Sequence, residues 1–331
     1  MNFVNHCISV ISIFILISCL ASTDEEEVRS AIAEAHYYLD SSNCSKAKSV
    51  LDDVGQQKNN ADYVSVYASS IACVAGYKDI EVALNNLTSI DTSDQSTGVG
   101  FISSFAGFPS SSEIAPDQAS YSKIFEAIQY ILEADSASPS TVNRLSKYGN
   151  SDGNDLSMQA LIMTTVAFGK WFAYYGNADA SGTKGAGANG AGHSCVFSYT
   201  QADAVNYINA INPSGCSATG SEGSDDLETP VSTTVIQRRM CEGLVMFNNM
   251  VDILSNINLS SSSSLGQLSS MSTLFTNVIS GAETAETTFN TEGAYANSVS
   301  TLKNVRGLAE CEALDLNRIQ KFYAILLEVL Y

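Results

Sequence analysis

A few short stretches of this chain carry residue types that could do chemistry. Gly185-Ala-Gly187-Ala-Asn-Gly190 has the spacing that lets a strand-to-helix turn approach a pyrophosphate. No strand pattern precedes it and no acidic residue stands where a βαβ unit would place its ribose contact, so it reads as a loop of small residues. Lys184 does not make it a phosphate loop, because that pattern needs Gly-Lys-Ser/Thr in order. Asn150-Ser-Asp152-Gly-Asn154-Asp155 gathers oxygen ligands, but Asp155 and Leu161 stand where an EF-hand needs Gly and a bidentate Glu. That stretch, like Ser224-Asp225-Asp226-Leu227-Glu228, reads either as a different calcium loop or as a plain helix cap and turn. His193-Ser194-Cys195 is a faint metal-like cluster in a chain without Cys-x-x-Cys, so no metal or cofactor is expected. No G-x-S-x-G or H-E-x-x-H occurs, and His36 and His193 leave little general-base chemistry. Carboxylates paired across a cleft remain the one hydrolytic alternative. The expectation is a protein that binds rather than an enzyme.

The cysteines are more informative. Leu16-Ile17-Ser18-Cys19 ends an apolar run from Val10 to Ile17, too short to span a bilayer and of the length of a signal-peptide core. This run resembles the lipobox of bacterial lipoproteins. The resemblance implies that residues 1–18 are removed as a signal peptide, that Cys19 receives acyl chains such as palmitate, and that 19–23 is a lipidated tether. Leu20, standing where an Asp would favour the inner membrane, implies the outer membrane on either its periplasmic or its outer face. Cleavage after Ala21 would instead release a secreted protein. Cys44, Cys73, Cys195, Cys216, Cys241 and Cys311 remain, an even number that reads as disulfides in an exported chain.

Formal net charge is −19 with 16 Lys plus Arg, so phosphate backbones repel the body and no nucleic-acid partner is expected. The acids are scattered over a solvated surface. Asp24-Glu25-Glu26-Glu27 is the exception and sits at a helix start, where it complements the dipole.

Helical periodicity positions everything else. Apolar stripes predict helices over 25–39, 44–54 and from Asn60 to Gly76, with Ser42 or Asn43 capping the second, and a fourth over 80–87. Irregular loops are expected at 88–116, 176–198 and 212–230. Further helices are expected from 117 to 135, from Pro139 to Leu145, and from Leu156 to Tyr175, then over 202–211, 231–256, 265–279 and 308–331. The 156–175 helix is apolar nearly all round, which places it at the centre of a core.

Ala35, Tyr38, Ala47 and Leu51 resemble a tetratricopeptide repeat over roughly residues 24–90: small residue, aromatic, small residue, large apolar residue at the family's spacing. The resemblance implies a helical-hairpin stack in which the start of the second helix meets the end of the third, pairing Cys44 with Cys73. Proximity favours Cys195–Cys216, and proximity with helix placement favours Cys241–Cys311. The resemblance also implies a concave groove lined by Tyr37, Tyr63 and Tyr67, the same tyrosines being equally able to serve as core. The reading is an all-α, disulfide-stapled body: the stack at 24–90 leads into a larger helical part at 91–331. Its expected work is that of a lipid-anchored binding or scaffold protein with a protein or peptide partner. A solute- or glycan-binding lipoprotein and a carboxylate-dependent hydrolase are the alternatives.

Overall fold

Glycines at positive φ punctuate the N-terminal helices. The computed structural model describes residues 25–77, 119–134, 136, 138–175, 232–257, 266–289 and 297–330. Helix α1 covers 25–40, α2 Cys44–Asp53 and α3 Ala61–Val74. Gly55 at φ 71° and Gly76 at φ 82° end α2 and α3 in the left-handed region that side chains avoid. The Asn60 side chain caps α3 by accepting the Tyr63 N–H at 3.1 Å. The expected cap on α2 does not form: Asn43 makes no side-chain bond there. Ser42 takes φ 57° instead, and the turn closes through Ser42 N–H to the Leu39 carbonyl and Asn43 N–H to the Tyr38 carbonyl.

Eight more helices follow among the described residues: α4 Ala119–Leu132, α5 Thr141–Tyr148, α6 Asn150–Tyr175, α7 Thr233–Asn256, α8 Gly266–Phe289, α9 Ser298–Leu302, α10 Leu308–Glu312 and α11 Leu316–Leu330. The described residues contain no strand, and the fold is all-α. Four boundaries depart from expectation. Helix α5 starts after Ser140, whose hydroxyl accepts the Asn143 N–H, rather than at Pro139. Helix α6 begins at Asn150, so the Asn150–Asp155 cluster is its first turns. Helix α8 runs to Phe289, ten residues past the expected end at 279. The C-terminal helix is broken after Glu312, where the Asp315 carboxylate accepts the Asn317 N–H at 2.8 Å and starts a new helix. The expected helices at 80–87 and 202–211, the three expected loops, and the boundary at residue 90 lie outside the described residues.

One continuous apolar core runs from Val28 to Leu326. At its centre α6 packs against α3, α4, α5 and α7, while α7 also meets α5, α8, α10 and α11. Burial of α6 nearly all round from Leu156 to Trp171 follows from the lack of a polar stripe there. The described helices include none long and apolar enough to cross a membrane. Trp171, fully buried, stacks on Phe168 and Tyr323 with ring centroids 5.8 and 5.5 Å apart, and donates its indole N–H to the Arg239 carbonyl at 2.9 Å. Tyr323 donates to the Met240 carbonyl at 2.8 Å. Both rings lie over Gly243 of α7: a Cβ there would come within 2.6 Å of the Trp171 ring and of the Tyr323 hydroxyl. The Cys241–Cys311 disulfide, Cα–Cα 5.7 Å, ties α7 to α10 about half a turn away.

Helix propensity alone would make Gly243→Ala stabilising by about 1 kcal/mol. The close approach reverses the sign, and thermal unfolding should show a net loss of about 1–3 kcal/mol. A raised melting temperature would show that the rings have room to move.

Candidate functional site

The three tyrosines expected to line one groove do not share a surface. Tyr37 is 69% exposed on α1, its ring edge-on to Tyr38 at 5.6 Å. Tyr63 and Tyr67 are buried on the face of α3 that packs against α4. Their i, i+4 spacing stacks the two rings at 5.5 Å, and Tyr130 of α4 lies over Tyr67 at 4.6 Å. Tyr63 donates to the Leu51 carbonyl at 3.0 Å, which pins α2 to α3. These two rings are core, the second of the two roles open to them from sequence.

The polar edge of this stack carries an ionisable group of its own. The Tyr67 hydroxyl donates to Asp52 Oδ1 at 2.7 Å, and Lys48 Nζ reaches Asp52 Oδ2 at 2.8 Å and the Tyr67 oxygen at 3.1 Å. Partial burial pushes the Asp52 carboxyl up, but hydrogen bonds from Lys48 and Tyr67 outweigh it and hold the group below the usual carboxylate range. Around this site Lys58 lies over the Tyr130 ring and Lys147 over Tyr148, at 5.3 and 5.1 Å.

A second polar constellation, absent from the sequence reading, lies in the core between α5, α6, α7 and the 303–307 turn. Asp252, 6% exposed, accepts the Thr141 N–H at 2.7 Å, at the start of α5, and pairs with Arg306 at 3.1 Å. Asn249 donates to the Arg306 carbonyl and Asn248 to the carbonyls of Leu302 and Val305, which closes the end of α9. The fully buried Arg144 binds Ser157, Thr141 and the Leu132 carbonyl. Near α9 the buried Glu286 carboxylate accepts the N–H groups of Val299 and Ser300 at 2.8 and 3.2 Å. Each of these groups satisfies a helix end or another side chain, so the arrangement locks helices together. The legible signal was Asn248, Asn249 and Asp252 interrupting the apolar run of α7.

Two carboxylates do converge, at Arg238: its Nε meets Glu242 at 3.1 Å and its NH1 meets Glu312 at 2.9 Å. Burial pushes the Glu242 carboxyl up against the opposing pull of Arg238. A guanidinium bridging the pair makes it an ion-pair network rather than an acid and a base facing a substrate. Lys170 on α6 is buried, and desolvation lowers its ammonium to about 8. No group of three or more His, Cys, Asp and Glu that could hold a metal occurs among the described residues. In α6 the Asp152 and Asp155 side chains are exposed while Gly153 is buried against Leu145, so this stretch forms the helix start that was one of its two readings.

The Cys44–Cys73 disulfide is present, Cα–Cα 5.4 Å, joining the first residue of α2 to the end of α3. Cys241–Cys311 is present as well. Cys19, Cys195, Cys216, His193, Gly185–Gly190 and Ser224–Glu228 lie outside the described residues. No family model, no curated protein and no solved structure matches the chain.

Two measurements test the electrostatics. Asp252→Ala leaves Arg306 without its carboxylate and the Thr141 N–H without its acceptor, and chemical denaturation should show a loss of about 3 kcal/mol; a loss under about 1 kcal/mol would mean that water replaces the carboxylate. Because the Asp52 carboxyl lies lower in the folded chain than in the unfolded one, its contribution is complete above the ordinary carboxylate range and fades as pH falls through the lowered folded value. Asp52→Asn should therefore flatten the acid limb of the stability–pH curve, and an unchanged limb would count against the cluster.

Proposed function

We propose that this chain is an exported, lipid-anchored binding or scaffold protein of a bacterial outer membrane that engages a protein or peptide partner. The observation that carries the reading is the pair of disulfides, Cys44–Cys73 and Cys241–Cys311, each clamping one helix to another. Such bonds persist in oxidising compartments outside the cytoplasm, which agrees with a leader removed just before Cys19. The buried Ala35, Ala47 and Leu51, with Tyr38 packed against the same core, suit the close helix approach of a tetratricopeptide-like stack. The contact residue we assign to the partner is Tyr37, whose ring offers apolar area and a hydroxyl to solvent. Tyr63 and Tyr67 support that stack from within.

Cys19→Ala should move the protein from the membrane fraction to the soluble fraction and abolish the acyl-chain mass on its N-terminal peptide. An unmodified Cys19, or an intact Met1, in protein recovered from the envelope would overturn the anchored reading.

A further inference from the structure

The two described disulfides differ in what can reach them. Both Cys241 and Cys311 are fully buried. Cys44 and Cys73 are half-buried, and Val74, beside Cys73, is 46% exposed. The helix that Cys44 begins is short, ten residues, and only Ala47 and Leu51 of it are buried. A helix of that length is marginal without tertiary support. Besides the disulfide and the packing of Ala47 and Leu51 into the core, α2 is held to α3 by the Leu51–Tyr63 hydrogen bond and the Lys48–Asp52–Tyr67 cluster.

We propose that Cys44–Cys73 is a thiol-exchange site, opened in the folded protein by a small dithiol or a dithiol protein, while Cys241–Cys311 stays closed. The helix termini set the direction of attack. Cys44 is the first residue of α2, at the positive end of that helix's dipole, which stabilises a thiolate; Cys73 lies one residue from the end of α3, at the negative end, which disfavours one. Cys44 is therefore the better leaving group. The incoming thiolate attacks Cys73 Sγ, the Cys73–Cys44 bond breaks, and its electron pair leaves on Cys44 as the thiolate. A mixed disulfide remains on Cys73. The second thiol of the reductant, deprotonated, attacks its own sulfur in that mixed disulfide, releases the Cys73 thiolate and leaves the reductant as its cyclic or intramolecular disulfide. The chain is reduced by two electrons and the dithiol is oxidised by two. With the clamp open, the start of α2 is free to fray away from α3.

The test uses the intact mature protein without denaturant. Dithiothreitol treatment for increasing times, quenched with N-ethylmaleimide and mapped by peptide mass, should label Cys44 and Cys73 at least about tenfold faster than Cys241 and Cys311. Labelling of both pairs together, of Cys241 and Cys311 first, or of neither before global unfolding would overturn the proposal. Reduced glutathione followed by acid quench should leave its adduct on the Cys73 peptide, and an adduct on Cys44 would refute the assigned direction. Hydrogen exchange after selective reduction should rise over 44–53 and stay unchanged in α6 and α7; an equal rise throughout would mean that reduction unfolds the molecule rather than opening a clamp. None of these outcomes depends on the lipid at Cys19, so failure here and failure of the anchored reading are separable.

Discussion

The close contact of Trp171 and Tyr323 with Gly243 is the constraint around which the body is arranged. Two aromatic rings from α6 and α11 can lie over one point of α7 only if no side chain occupies it. That contact brings three helices far apart in sequence to a common depth. It also orients the indole N–H and the phenol toward carbonyls of α7, at Arg239 and Met240. Dispersion and apolar burial supply the energy, and the two hydrogen bonds supply the register.

Around this centre the polar groups inside the molecule act at helix ends. Asp252 meets the start of α5, Glu286 the start of α9, and Asn248 the end of α9. A buried helix terminus with unpaired N–H or C=O groups is costly, and short helices have proportionally more of them. These side chains therefore make the short α9 and α5 compatible with a packed interior. The disulfides act at the same level, each fastening a helix to a neighbour: α2 to α3, and α10 to α7. The buried pair belongs to the core, whereas the half-buried pair lies at the margin of the stack, where the proposed exchange chemistry is located.

For function, the described body offers a close-packed helical core and one large exposed aromatic, Tyr37, near its N-terminal side. Among the described residues, tyrosines hold helices together, as the Tyr63–Tyr67–Tyr130 stack illustrates. The carboxylates that meet at Arg238 are bridged by its charge. The exposed ring of Tyr37 is the reason the proposed partner contact is placed on α1.

The helical class, the position of α1 to α3 and the central place of α6 were legible in the residues, because apolar spacing and turn glycines are local properties; the pairing of Cys44 with Cys73 came only from the resemblance to stacked helical hairpins. Which tyrosine faces solvent was not legible: Tyr37 and Tyr67 are the same residue type on similar helices, and only the docking of α4 buries one of them. The break at Asp315 and the extension of α8 to Phe289 escaped notice because helix ends there depend on what packs beside them. Asn248, Asn249 and Asp252 mark themselves by interrupting an apolar run, but Arg306, the partner of Asn249 and Asp252, is not legible, since it comes from a segment more than fifty residues away. Local periodicity determines which stretches coil; the choice of contacts between distant stretches, and with it the burial of every polar group, is made only when the whole chain closes on one core.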